Sequence, residues 1–236
     1  MSGSPVVTVL PAAGSGARLG AGMPKAFVEI GGVPMLVRAV DGVLASGVVD
    51  HVVVVVPVEL VRDAAGLLPG RPVTVVPGGA DRTASVAAGL AATGPEAEVV
   101  LVHDAARPLT PAGVVRRVVG AVRAGAAAVI PVLPVTDTVK TVDEAGIVTA
   151  TVDRSTLRAV QTPQGFRGRE LRLAYARGPD PVTDDAGLIE ALGAPVATVA
   201  GDPLAFKVTT VWDLRIAELL LADVPAHPAG GVRSTG

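Results

Sequence analysis

The segment Pro11-Ala12-Ala13-Gly14-Ser15-Gly16-Ala17-Arg18-Leu19-Gly20, followed by Pro24-Lys25, gathers small residues around two cations. Residues this small let the backbone approach a ligand closely, and successive N–H groups in such a loop form a concave anion site. Arg18 and Lys25 add full charges beside those dipoles, so the chemistry on offer is the binding and stabilisation of phosphate. Three loop types compete for this pattern. A Walker-A loop ends in Gly-Lys-Ser/Thr, and no such ending occurs. The dinucleotide fingerprint G-x-G-x-x-G needs glycine where this chain has Leu19, and an acidic residue closing the second strand, which instead ends Val56-Pro57. The G-x-G-x-R…P-K loop of sugar-nucleotide transferases has every element present. A plain strand-to-helix turn would leave two cations and so many small residues unexplained.

Four further segments carry groups suited to the same task. They are Gly78-Gly79-Ala80-Asp81-Arg82-Thr83-Ala84-Ser85-Val86, His103-Asp104-Ala105-Ala106-Arg107-Pro108, Thr162-Pro163-Gln164-Gly165-Phe166 and Phe206-Lys207-Val208-Thr209. Taken singly, each has an ordinary reading: Asp104 as a turn cap, Lys207 as a solvated surface lysine, Arg154 as a hairpin charge. Their weight comes from occurring together and in this order.

The elements that must position these segments follow from hydrophobic periodicity. Val6–Leu10, His51–Val56, Val73–Val76, Glu98–His103 and Ala127–Leu133 are short, β-branched, nearly continuous apolar runs, the pattern of strands covered on both faces. Between them, Met35–Ala45, Glu59–Leu68, Asp81–Ala92 and Pro111–Ala124 have helical spacing. Strand alternating with helix predicts a single-domain α/β, Rossmann-like, mostly parallel sheet flanked by helices. Ligands of such sheets sit beyond the carboxyl ends of strands, which selects the loops after Leu10, Val76, His103 and Leu133. The alternation fails over residues 135–158, a polar, Thr-rich stretch with a turn at Glu144-Ala145-Gly146. Two short runs around a Gly turn predict a β-hairpin arm too poor in apolar residues to bury itself, which would project and pair with another chain. Helical patterns resume at Glu170–Tyr175, Asp184–Leu192 and Val211–Leu221. A single domain is therefore expected over residues 1–222, with residues 223–236, rich in Pro, Gly, Ala, Ser and Thr, as a disordered tail.

Bulk composition narrows the class. A formal charge of −2 gives no basic field for a nucleic-acid backbone, so local groups must meet any bound phosphate. With no cysteine there is no disulfide framework and no thiolate metal site. Met1–Pro5 lacks the charged and apolar regions of a secretory signal, and no uninterrupted apolar stretch reaches the ~20 residues of a membrane helix. A cytoplasmic protein without a membrane partner is expected. No Ser–His–Asp set is convincing among three histidines, so nucleophilic catalysis is disfavoured.

In combination, PAAGSGARLG…PK, GGADRTASV, VHDAARP, VTDTVK, TVDR, QTPQGF and FKVTT closely resemble the 2-C-methyl-D-erythritol 4-phosphate cytidylyltransferases of the non-mevalonate isoprenoid pathway. The resemblance runs from about Val6 to Leu221. It implies that CTP and 2-C-methyl-D-erythritol 4-phosphate give 4-CDP-2-C-methyl-D-erythritol and pyrophosphate, by direct attack of the substrate phosphate on the α-phosphorus. By the same resemblance Arg18 and Lys25 stabilise charge on the phosphates, while Arg154 and Lys207 position the polyol phosphate. Asp104, Arg107, Thr138 and Thr162 match the polyol side of the pocket, and Ala12, Ala13, Gly14, Gly16, Gly79 and Ser85 match the base and ribose positions. Some members have an acidic residue directly after the Gly pair, where this chain has Ala80 and then Asp81. Mg²⁺ is expected to be held mainly by the CTP phosphates and water, as this ion prefers, with Asp104 open to either the ion or the polyol. The family implies a homodimer in which the arm carries Arg154 to the neighbouring site. Rival readings are a cytidylyltransferase for another polyol phosphate, such as ribitol 5-phosphate, and a nucleotide-binding module without turnover.

Overall fold

A computed structural model describes residues 4–14, 24–177 and 184–222. Gly16 and Arg18, and the expected tail over 223–236, lie outside the described residues. The five expected β-branched runs form strands, β1 (Val6–Pro11), β4 (His51–Val56), β5 (Val73–Pro77), β6 (Val99–Val102) and β7 (Ala128–Pro134); β12 (Val196–Ala200) joins them, and β2 (Glu29–Ile30) and β3 (Val33–Pro34) make a small separate hairpin. β1 pairs in parallel with β4 on one side and β6 on the other, β4 carries β5, and β7 carries β12, all in parallel.

Two strands break the parallel rule. β11 (Gln164–Arg167) runs antiparallel between β6 and β7, and β10 (Arg158–Val160) pairs antiparallel with the far end of β7. The sheet is thus mostly parallel, as predicted, with an antiparallel insertion that sequence periodicity passed over. The insertion also trims the expected arm, because Arg158 pairs with Pro134 in the main sheet. What remains is a two-stranded ribbon, β8 (Val139–Val142) and β9 (Val148–Val152), turning at Gly146 with φ 80° and pairing with no other described strand.

The central strands β1, β4 and β6 bury both faces, which explains their unbroken apolar runs. Along β1, Val6 and Leu10 enter one core layer with Leu36, Val40, Val54, Leu101 and Val118. Val7 and Val9 enter the opposite layer with Val53, Val86, Phe166, Leu171 and Ile189. The first layer is roofed by α1 (Met35–Leu44) and α4 (Ala112–Arg123), the second by α3 (Arg82–Ala91), α5 (Gly168–Ala176) and α6 (Asp185–Ala191). The helix expected over Glu59–Leu68 is shorter, a 3-10 turn at Val58–Leu60 leading into α2 (Val61–Gly66). The last helix, α7 (Val211–Ala222), starts with a reciprocal cap: Thr210 N–H donates to the Asp213 carboxylate and Asp213 N–H donates to Thr210 Oγ1.

Strand order reverses at β1. The chain moves from β1 out to β4 and β5, then returns to place β6 on the other side of β1. That reversal leaves a crevice beyond the carboxyl ends of β1 and β6, where such sheets bind ligands.

Candidate active site

A pocket of about 470 Å³ opens at this crevice, within the usual range for a small-molecule site. Its lining comes from the segments singled out in the sequence: Ala12, Ala13 and Gly14 after β1, Lys25, Gly79 and Ser85 after β5, Asp104 after β6, and Lys207 before α7. Pro57, Ala80, Asp81, Arg82 and Thr209 complete much of the remaining wall. Backbone contacts hold the first loop in place, since Ala12 N–H donates to Val55 O at 2.7 Å and Lys25 N–H donates to Gly14 O at 3.2 Å.

The second loop is folded by its own polar groups. Asp81 caps α3, accepting from Ala84 N–H at 2.7 Å. Ser85 is fully buried; its Oγ donates to Asp81 O at 2.8 Å and accepts from Gly79 N–H at 3.2 Å. Its hydroxyl therefore pins the Gly79 turn that faces the pocket.

Asp104 is the electrostatic centre. Lys207 Nζ lies 2.7 Å from its Oδ2, and Arg82 Nη2 lies 3.4 Å from its Oδ1. Arg82 also bonds Asp185 Oδ2 at 2.7 Å, and Asp185 Oδ1 accepts from the Tyr175 hydroxyl at 2.5 Å. Burial opposes ionisation of Asp104, but Lys207, Arg82 and Arg107 outweigh it and hold the carboxyl at about 2. Arg82 shows the same contest: burial lowers its affinity for the proton, while Asp185 and Asp104 raise it above the ordinary arginine value. Asp104 and Arg82, the middle members of the chain Lys207–Asp104–Arg82–Asp185, are therefore both charged at neutral pH.

Behind the pocket lies a supporting layer. Thr162 is buried; its Oγ1 accepts from Asp104 N–H at 3.1 Å and contacts His103 Nδ1 at 2.9 Å. His103 is fully buried, and that burial pushes its imidazole down to about 4, so it is neutral. Arg107 donates to Ala205 O at 2.5 Å and to Val160 O at 3.3 Å, and Val208 N–H donates to Ala106 O at 2.8 Å. These bonds fasten the Asp104 loop to the segment that carries Lys207. Arg107 and Thr162 thus stand one layer behind the residues that line the pocket.

Of the expected site residues, Ala12, Ala13, Gly14, Lys25, Gly79, Ser85, Asp104 and Lys207 meet in one pocket. Thr138 and Arg154 do not line it: both are exposed, and Arg154 Nη1 donates to Thr136 O beside the ribbon. Gly16 and Arg18 lie outside the described residues. Arg82, Asp185 and Tyr175 were not foreseen. The GGADRTASV segment contained the one usable signal for Arg82, but nothing near Asp185 in sequence marks it as a partner.

The donor set bears on metal binding. Among the described residues, no group of three or more His, Cys, Asp and Glu side chains could cage a cation. Both oxygens of Asp104 already face Lys207 and Arg82. Such a pocket fits Mg²⁺ arriving with phosphate oxygens and water as its ligands, which is how this ion commonly binds nucleotides.

Comparison with known proteins agrees with the geometry. The family profile of IspD, 2-C-methyl-D-erythritol 4-phosphate cytidylyltransferase, matches residues 6–223. A protein of that name from Nocardia farcinica is 63% identical over 217 residues, covering 92% of this chain and 94% of the relative. Another from Rhodococcus opacus is 59% identical over 219 residues, covering 93% and 96%. Among solved structures, the Thermus thermophilus 2-C-methyl-D-erythritol 4-phosphate cytidylyltransferase superposes with a TM-score of 0.75 at 37% identity, covering 92% of this chain and 99% of its own. The Anaerococcus prevotii 4-diphosphocytidyl-2C-methyl-D-erythritol synthase reaches a TM-score of 0.82 at 28% identity, covering 94% and 100%. This chain belongs to the IspD family of 2-C-methyl-D-erythritol 4-phosphate cytidylyltransferases.

Proposed function

We infer that the protein transfers the cytidylyl group of CTP to 2-C-methyl-D-erythritol 4-phosphate. A non-bridging oxygen of the polyol phosphate attacks the α-phosphorus of CTP. The bond from that phosphorus to the bridging oxygen of the β-phosphate breaks, and pyrophosphate leaves with the electron pair. The nucleophile is already an anion, so no general base is needed, and catalysis reduces to positioning and charge stabilisation.

The observation that carries this reading is the convergence of Lys25, the Ala12–Gly14 backbone, the Gly79–Ser85 turn and the Lys207–Asp104 pair in one pocket at the strand-order reversal. Lys25 and Arg18 meet the triphosphate, Lys207 and Arg154 meet the polyol phosphate, and Asp104 faces the polyol side. The small residues of both loops give the base and ribose room to approach backbone groups. Bound Mg²⁺ would neutralise triphosphate charge, held by phosphate oxygens and water with Asp104 nearby.

The ribbon supports a homodimer as the working form. Val142, Ile147 and Val148 are 59%, 64% and 56% exposed on it, more apolar surface than a free arm of this size favours. A second copy covering them would bring Arg154 to the neighbouring pocket. A cytoplasmic location suits an enzyme that draws on CTP.

Pyrophosphate release with CTP, Mg²⁺ and either methylerythritol phosphate or ribitol phosphate tests the assignment, with Lys25→Ala as control. Turnover with methylerythritol phosphate that collapses in the variant is expected. Turnover with ribitol phosphate alone would overturn the substrate, and release with neither would overturn the activity.

A further inference from the structure

Arg82 has no part in the reaction set out above, yet one of its nitrogens stands between two carboxylates. Nη2 is 2.7 Å from Asp185 and 3.4 Å from Asp104, whose other oxygen holds Lys207 at 2.7 Å. The two carboxylates differ in freedom. Asp185 has 1% of its side chain exposed, begins α6 and is gripped by the Tyr175 hydroxyl, whereas Asp104 has 12% exposed and faces the pocket. Arg82 is therefore anchored on its Asp185 side and extends toward Asp104.

Lys207 has one charge for two claimants, Asp104 at 2.7 Å and a substrate phosphate. An ammonium is a compact point charge, and a phosphate dianion arriving in the pocket competes for it. When Lys207 turns to the phosphate, Asp104 is left as a nearly buried carboxylate beside an incoming anion. A buried charge stripped of its partner is strongly unfavourable, so substrate binding would work against itself unless another cation takes over. Arg82 is placed to do so: closing the 3.4 Å contact to the ~2.8 Å of a charge-assisted hydrogen bond requires only a small shift.

We propose that Arg82 is a positioning residue that takes over Asp104 when Lys207 leaves it for the polyol phosphate. The Lys207–Asp104 pair is then the resting contact and Arg82–Asp104 the working one. The hand-off keeps Asp104 in place to face the polyol and keeps Lys207 available to the phosphate without leaving a bare carboxylate. It rests on the reading of Lys207 as the cation that meets the polyol phosphate.

The test is a double-mutant cycle read by pyrophosphate release at saturating CTP and varied methylerythritol phosphate, using wild type, Arg82→Gln, Asp104→Asn and the double variant. Removing Arg82 alone should lower kcat/KM for the polyol phosphate by about tenfold or more, mostly through KM, whereas in the Asp104→Asn background the same change should cost less than about twofold. Arg82→Lys should recover part of the loss, because it keeps a cation within reach of Asp104. Equal losses in both backgrounds, or an Arg82→Gln protein within about twofold of wild type, would overturn the proposal. Should Arg82→Gln fail to fold because Asp185 is left bare, the pair Arg82→Gln/Asp185→Asn removes both charges and carries the same comparison with and without Asp104→Asn. Failure of the underlying functional reading is separately visible, since wild type itself would then release no pyrophosphate, and that outcome overturns the hand-off with it.

Discussion

Lys207 and Asp104 meet at 2.7 Å across the mouth of the pocket, one from the segment before α7 and the other from the end of β6. The contact is made by two loops held together independently, through Val208 N–H to Ala106 O and Arg107 to Ala205 O. Lys207 is therefore preorganised by the backbone beneath it as well as by its counter-ion, and that is where electrostatic catalysis gains most.

Loss of Lys207 should be felt in turnover far more than in folding. Its side chain is 43% exposed, so Lys207→Ala removes little buried surface. The rate constant kcat/KM for the polyol phosphate should fall by on the order of 10²-fold, with the KM for CTP changed much less. Thermal unfolding within a few degrees of wild type, beside that kinetic loss, is the expected pair of results. A loss shared equally between the two substrates would place Lys207 elsewhere in the reaction.

Stability should decline on acidification in two stages, both of the same sign. Burial holds His103 at about 4 against an ordinary 6.5, so the unfolded chain binds this proton first as the pH falls. The stability that depends on neutral His103 is complete above pH 6.5 and is lost on the way down to about 4, on the order of 3 kcal/mol in all. Asp104, at about 2 against 3.8, adds a second loss of about 2 kcal/mol between those values. Urea unfolding at a series of pH values should show the first slope in wild type and not in His103→Gln. An unchanged slope in that variant would show that His103 is not the group responsible.

The Gly79 turn should tolerate no side chain. A Cβ there would lie 2.4 Å from Ala84 Cβ and 3.1 Å from the Ala84 carbonyl carbon, at the capped start of α3. Gly79→Ala must push the turn away from Ser85, breaking the bond from Gly79 N–H and moving the wall of the pocket. If this loop forms the nucleotide wall of the pocket it lines, the KM for CTP should rise about tenfold or more while kcat at saturation falls less. An unaltered KM for CTP would remove this loop from the nucleotide site.

How much of this could be read from the chain depends on whether the controlling contacts are local. The valine runs of β1, β4 and β6 announce themselves because both faces of each strand are buried, and a short β-branched apolar run repeated between helical segments fits a covered strand. β11 was missed because its first residue is polar for a tertiary reason: Gln164 donates to Asp184 at 2.7 Å and accepts from Ala186 N–H at 3.1 Å, fixing the start of α6. β12 was missed because it is a half-exposed edge strand of Ala, Val and Thr. The site divides in the same way. Lys25, Gly79, Asp104 and Lys207 each sit in a segment whose composition is odd for a structural role alone, but the pairing of Arg82 with Asp185 spans two helices that sequence spacing cannot bring together. Arg107 and Thr162 were expected at the polyol and are found behind the loop they support, a distinction of one layer that residue type does not carry.

Arg154 does not line the pocket of its own chain, and the proposed homodimer turns that into a prediction about mixtures. If the ribbon serves the neighbouring site, a Lys25→Ala subunit and an Arg154→Ala subunit fail for different reasons and in different places. Each homodimer lacks one of the two cations at both sites. In a mixed dimer, the site containing the intact Lys25 receives an intact Arg154 from the other subunit, while the second site lacks both. Equal mixing with free exchange makes about half of the dimers mixed, each with one working site of two, so activity should return to about a quarter of wild type. The measurement is pyrophosphate release before and after the two inactive proteins are denatured together and refolded. Recovery near a quarter fixes Arg154 as a residue supplied by the partner. No recovery, in protein shown by mass to be dimeric, would return Arg154 to its own subunit and would require the ribbon to bend back toward the pocket it leaves open here.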